Sequence, residues 1–144
     1  MIGFTTPEQS LNLAVMGFRP QTVVLAWEKS RAGGLMIPGP VEKDGIIPTY
    51  RLVVGPDNPE GKDLIPIFMA EDLANCLPYS LHLLGATYLL RLYRRLGYWV
   101  VEYQTFSKQD NFRFTPPTIY TTSHPDLCGV LYYAIMDLKK RQYI

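Results

Sequence analysis

Little in this sequence is equipped for bond-making chemistry. Two cysteines and two histidines stand among 144 residues, too few for the disulfide scaffold on which small secreted folds depend. Charge is nearly balanced, with 14 Lys and Arg against 13 Asp and Glu. The basic surface of a typical duplex-DNA binder is therefore missing, and direct sequence-specific nucleic-acid binding is not expected. No apolar run is long enough to span a bilayer, and Met1-Ile2-Gly3-Phe4-Thr5 lacks the basic start and apolar core of a signal peptide. These absences lead us to expect a soluble, cytoplasmic protein with no membrane partner. There is no Gly-Lys-Ser/Thr sequence and no Gly-x-Gly-x-x-Gly opening a helix, so no nucleotide cofactor is expected.

What is present is a globular balance, 47% hydrophobic and 19% charged, in one expected domain over residues 1–144. Thr6, Pro7 and Gln9 write the start of a helix, as cap, first-turn proline and capping-box partner. Leu11, Ala14 and Val15 form its expected face, and Gly17 ends it. Thr22 to Glu28 and Thr49 to Val54 are rich in β-branched and aromatic residues and predict strands. Arg31 to Val41, with two glycines in sequence and two prolines, predicts a loop. Leu64 to Phe68 can be extended only at an edge because of Pro66, and Ala70 to Asn75 suits one helical turn.

The stretch Leu77 to Gly97 predicts a long helix over Ser80 to Leu96, with Ser80 as cap, Leu81, Leu84, Tyr88 and Leu92 at helical spacing, and Gly97 as the stop. Trp99, Val101 and Tyr103 alternate with Glu102 and Gln104, the pattern of a half-buried strand. A return strand is expected to begin at Phe112 to Thr115. Ser123-His124-Pro125-Asp126 predicts the cap of a last helix, with Leu127, Val130, Leu131, Ala134, Ile135 and Leu138 as its buried stripe. The fold class that follows is α+β, a mostly antiparallel sheet with helices on both sides.

The order of elements from Leu77 to Lys140 resembles a family of small bacteriophage proteins, the phage ABA-sandwich domain. The likeness is carried by Pro78-Tyr79-Ser80, by Gly97, by the aromatic hairpin and by Ser123-His124-Pro125 leading into an alanine- and leucine-bearing helix. Ala14-Val15-Met16-Gly17-Phe18 is similar to that family's opening helix. Arg19 to Ala70 is longer and richer in strands than the family pattern. The resemblance implies a helix-sheet-helix sandwich and a phage origin, and names no activity. With twelve prolines and only four asparagines, a lean toward hot environments, the chain is also similar in size and character to small proteins of thermophilic bacteriophages that bind host RNA polymerase. The partner implied is a bacterial RNA polymerase, and the role that of a transcription regulator of inhibitor or antiterminator type.

The chemistry-bearing residues each have a plainer role beside the functional one. His124 and Cys128, four apart, suit two metal ligands or a Cys-His nucleophile pair, with Cys76 and His82 completing a metal site. The plainer reading prevails, because Cys128 falls in the apolar stripe and His124 at the helix start. We expect no catalytic residue, no metal and no cofactor. A small enzyme using Cys128 and His124, or a structural homo-oligomeric component, are the alternatives. Arg91, Arg94 and Arg95, with Lys139, Lys140 and Arg141, are read as a basic concentration at two helix C-termini. They either complement the helix dipoles or face an acidic protein partner. Leu35, Met36 and Ile37, apolar in a proline-bearing loop, are candidate docking residues or packing of the loop on its own domain. Ten tyrosines, most in the second half, are too many for a core alone and suit an interface.

Overall fold

A computed structural model describes residues 3–30, 36–58, 60–105 and 117–144. The chain divides into two compact units, residues 2–73 and 74–144. The α+β class holds, and its strands form two four-stranded sheets, with every pairing described antiparallel.

The first unit opens with α1 (Pro7–Val15), started as its sequence specifies: Thr6 and Gln9 exchange side-chain-to-backbone hydrogen bonds of 3.2 and 3.1 Å. Gly17 follows in a left-handed conformation, φ +87°, where a side chain would be strained. The expected face is rotated, however. Pro7, Ser10 and Leu13 are the buried positions, whereas Val15 is 79% exposed. Ser10 turns inward because its hydroxyl meets that of Thr5 at 2.6 Å, and Thr5 also accepts from the Phe68 N–H at 3.0 Å. A polar pair buried on this helix thus displaces the apolar stripe read from Leu11, Ala14 and Val15.

Strands β1 (Leu25–Lys29), β2 (Ile37–Pro38), β3 (Thr49–Val54) and β4 (Leu64–Pro66) order as β2-β3-β1-β4. Pro66 therefore lies in an edge strand, where its missing N–H leaves no ladder bond unmade. Trp27, Tyr50 and Ile67 form the core, with Phe4, Leu25, Ile37 and Ile65 packed around them. The Trp27 indole donates to the Thr5 carbonyl at 2.9 Å, so the ring is buried with its one polar group satisfied. Helix α2 (Ala70–Cys76) runs across the division between the units.

The second unit overturns the strongest sequence expectation. Residues 80–96 are not a helix. They form β5 (Ser80–Leu83) and β6 (Ala86–Arg95), followed by β7 (Tyr98–Gln104) and β8 (Thr118–His124), a meander ordered β5-β6-β7-β8. Each of the first two connections is a two-residue turn, Leu84-Gly85 and Leu96-Gly97. All four residues have positive φ, 54° and 76° in one and 52° and 84° in the other, the type I′ geometry that suits a twisted hairpin. The leucines that fit a 3.6-residue period also fit a period of two: Leu81 and Tyr88 are cross-strand partners and both are buried. Glycine at 85 in the middle of a helix carries a penalty, whereas in a type I′ turn it is the preferred residue. The expected return strand at Phe112 to Thr115 lies outside the described residues. Ser123 belongs to β8, and the helix α3 (Leu127–Lys140) is capped instead by Asp126, whose carboxylate accepts from the Gly129 N–H at 3.2 Å.

Helix α3 packs on β7 and β8. It covers the sheet face bearing Val101, Tyr103 and Tyr120, and its own Val130, Leu131, Ala134, Ile135 and Leu138 are buried there. The Tyr120 hydroxyl donates to Asp137 at 2.6 Å, tying helix to strand. Among the described residues no helix is long and apolar enough to cross a membrane.

Candidate binding surface

Strand β6 decides where the predicted arginines go. Successive side chains of a strand point to opposite faces, so Arg91 and Arg95 share one face and Arg94 takes the other. They do not gather at a helix C-terminus as expected; only Lys139, Lys140 and Arg141 occupy such a position, at the end of α3. Arg141 stacks on Tyr120, 5.0 Å from its ring centre.

The face opposite α3 presents, along β6, Leu89, Arg91, Tyr93 and Arg95, and along β7 their partners Gln104, Glu102, Val100 and Tyr98. Glu102 is the unusual member, a carboxylate only 9% exposed. A buried carboxylate must be paired and hydrogen-bonded, and this one is. Arg91 donates to one oxygen at 3.1 Å and the Tyr93 hydroxyl donates to the other at 3.2 Å. Arg91 also donates to Gln104 at 2.8 Å, and its guanidinium lies 5.1 Å from the centre of the Tyr93 ring. The arginine side chain remains 45% exposed, so the ion pair adds little stability. What the network does is hold the guanidinium in one orientation, with part of its donor fork facing solvent. On the same face Leu89 and Tyr98 are 42% and 49% exposed. This network was not read from the sequence. Its signal is the alternation in Tyr98 to Gln104, which puts Glu102 and Gln104 on one face, combined with strand β6, which the helical spacing within Leu77 to Gly97 conceals.

The other face of the same hairpin carries Arg94, stacked 5.3 Å from the Trp99 ring centre. Of the loop candidates, Leu35 lies outside the described residues. Met36 is 36% exposed, its sulfur accepting from the Thr49 hydroxyl at 3.2 Å. Ile37 pairs with Tyr50 in β2 and packs on the Trp27 core, which is the plainer of the two roles weighed for it.

The residues of the enzymatic alternative, Cys128 and His124, lie at and just before the start of α3. Cys128 is buried, and that burial, with the Asp126 charge nearby, pushes its thiol up to about 11. Burial thus disfavours the thiolate, the form that acts as nucleophile and metal ligand. His124 uses Nδ1 to accept the Asp126 N–H at 3.1 Å, and its ring lies 5.4 Å from that of Tyr133. Both residues serve the start of α3. His82 sits with Thr87 on the opposite face, Nδ1 to hydroxyl 3.0 Å. Among the described residues no three of His, Cys, Asp and Glu gather as metal ligands. Comparison with protein-family models, with curated proteins and with solved structures gives no match to this chain.

Proposed function

We propose that this chain carries out no chemistry of its own and binds another protein through the sheet face of Leu89, Arg91, Tyr93, Arg95 and Tyr98. The observation that supports this is the fixed Arg91. A guanidinium already oriented by Glu102, Gln104 and Tyr93 loses little rotamer freedom when a partner carboxylate meets it, which is how preorganisation raises affinity. Arginine and tyrosine are also the residue types that dominate interface hot spots. The partner surface that fits is acidic, with an apolar patch opposite Leu89.

On the resemblance to small phage proteins, the partner to test first is a bacterial RNA polymerase, with the chain acting as a transcription regulator in the host cytoplasm. Tagged protein should retain polymerase subunits from a bacterial lysate in mild salt, and Arg91→Glu with Arg95→Glu should release them. Recovery of no polymerase subunit rejects that partner. Equal recovery with the double variant rejects the surface. The surface of Cys128 and His124 offers the enzymatic alternative nothing comparable, since one is a buried thiol and the other is engaged at a helix start.

A further inference from the structure

The tip of the β6–β7 hairpin differs from the rest of the sheet. Leu96 stands at its apex, 91% exposed and at φ 52°, so an apolar side chain is held out in water on a backbone conformation that leucine disfavours. Below the apex, Arg95 and Tyr98 form the first cross-strand pair and Arg94 and Trp99 the second. The two pairs project from opposite faces of the ribbon, so each face carries one arginine and one aromatic ring. The other hairpin tip has the same turn but none of this setting. Leu84 is 76% exposed at φ 54°, flanked by Leu83 and Ala86.

We propose that the β6–β7 tip inserts into the headgroup region of an anionic lipid surface. A medium that surrounds the tip meets both faces of the ribbon, and each presents an arginine beside an aromatic ring, Tyr98 exposed and Trp99 half-buried. The depth order also fits. Leu96 leads, and the two arginine–aromatic pairs follow at successive steps of about 3.4 Å, within the ~5–10 Å to which interfacial elements sink. Aromatic rings favour the headgroup level and guanidiniums the lipid phosphates. The tip shares Arg95 and Tyr98 with the proposed protein-binding face, but Leu96, Arg94 and Trp99 lie outside that face, so Leu96→Asn and Arg94→Gln test the lipid proposal separately from Arg91→Glu. The lipid proposal departs from the sequence expectation of no membrane partner, which addressed segments that span a bilayer and not elements that rest in its surface.

The test is co-sedimentation of the full chain with vesicles of equal parts phosphatidylcholine and phosphatidylglycerol, with pure phosphatidylcholine vesicles alongside. Binding to the anionic vesicles is expected. It should weaken sharply on going from about 0.01 M to about 1 M salt, which shortens screening from about 30 Å to about 3 Å. Leu96→Asn, which suits the turn, should lower the partition coefficient about tenfold through the lost apolar side chain. Arg94→Gln and Arg95→Gln should each lower it about fivefold. Leu84→Asn should leave it unchanged. Trp99 emission should shift to the blue on binding, while Trp27, 1% exposed in its core, contributes a constant background. No sedimentation with anionic vesicles at low salt, or equal binding by Leu96→Asn, overturns the proposal. If vesicles fail while Leu96→Asn loses a protein partner in a lysate pull-down, the tip belongs to a protein interface and the lipid assignment is wrong.

Discussion

Replacing Leu84 and Leu96 by asparagine asks the structure a question whose answer has a sign. Both leucines hold positive φ in two-residue turns and both are largely exposed, 76% and 91%, so neither contributes much by burial. A left-handed conformation costs an ordinary residue about 1–2 kcal/mol, and asparagine tolerates it far better, which is why Asn-Gly is preferred in type I′ turns. Each substitution should therefore stabilise the fold by about 1 kcal/mol. The turns lie at opposite ends of a strand of 10 residues, roughly 30 Å apart at ~3.3 Å per residue, so the two gains should add to about 2 kcal/mol. Had residues 80–96 formed the helix that their leucine spacing suggests, the same changes would destabilise. Helix propensity alone would cost about 0.5 kcal/mol each, and losing Leu84 from a buried stripe a further 2 kcal/mol or more. Urea unfolding of the wild type, both single variants and the double variant measures this directly. A raised midpoint at unchanged slope supports the hairpins. A double variant less stable than the wild type by more than about 0.5 kcal/mol would refute the reasoning about both turns.

Other perturbations test other parts of the molecule. Thr5→Val removes the hydroxyl that serves Ser10 and the Phe68 N–H and should cost about 1–3 kcal/mol, read as a lowered urea midpoint. Gly129→Ala should destabilise by about 1–3 kcal/mol, because a Cβ there overlaps the His124 ring; a neutral result in thermal melts would show that the ring moves aside freely. Tyr120→Phe should lose about 1–2 kcal/mol by cutting the bond to Asp137. Burial raises the Cys128 thiol from 9.0 to about 11, so the folded state keeps a proton that the unfolded chain releases. Stability from this group is complete below pH 9 and is lost as pH rises toward 11. Buried Tyr103 and Tyr120, whose phenols are likewise pushed up chiefly by burial, add to the same decline above pH ~10. Urea midpoints across this range should fall less steeply for Cys128→Ala than for the wild type.

The sequence was most legible where a local rule had one solution. Thr6, Pro7 and Gln9 allow little but a helix start, Pro66 confines its strand to an edge, and the stripe from Val130 to Leu138 is buried as spaced. It misled where two periods coincided. Leu81, Leu84, Tyr88 and Leu92 satisfy a helix, yet Leu81, Tyr88, Leu90 and Leu92 satisfy one face of a hairpin equally. The deciding residues, Leu84-Gly85 and Leu96-Gly97, carry leucine where turn chemistry leads one to look for asparagine, which concealed both turns. The proposed binding surface was legible only in fragments for the same reason. Arg91, Arg94 and Arg95 read as one basic group, either complementing helix dipoles or facing an acidic partner, but the separation of Arg94 from the other two, and the carboxylate of Glu102 that fixes Arg91, arise only from strand pairing. The buried Thr5 and Ser10 pair, made across a helix start, has no signature in apolar periodicity at all.

The central claim is that a guanidinium set in place by Glu102 anchors a protein partner. Its most direct measurement is the dissociation constant of the partner retained by the wild type, compared with Arg91→Glu and with Glu102→Gln. Charge reversal at Arg91 should weaken binding by about 2–5 kcal/mol. Glu102→Gln, which touches no partner but frees the arginine, should weaken it by a smaller amount while the variant stays folded by circular dichroism. Affinity unchanged in folded Arg91→Glu protein would contradict the account.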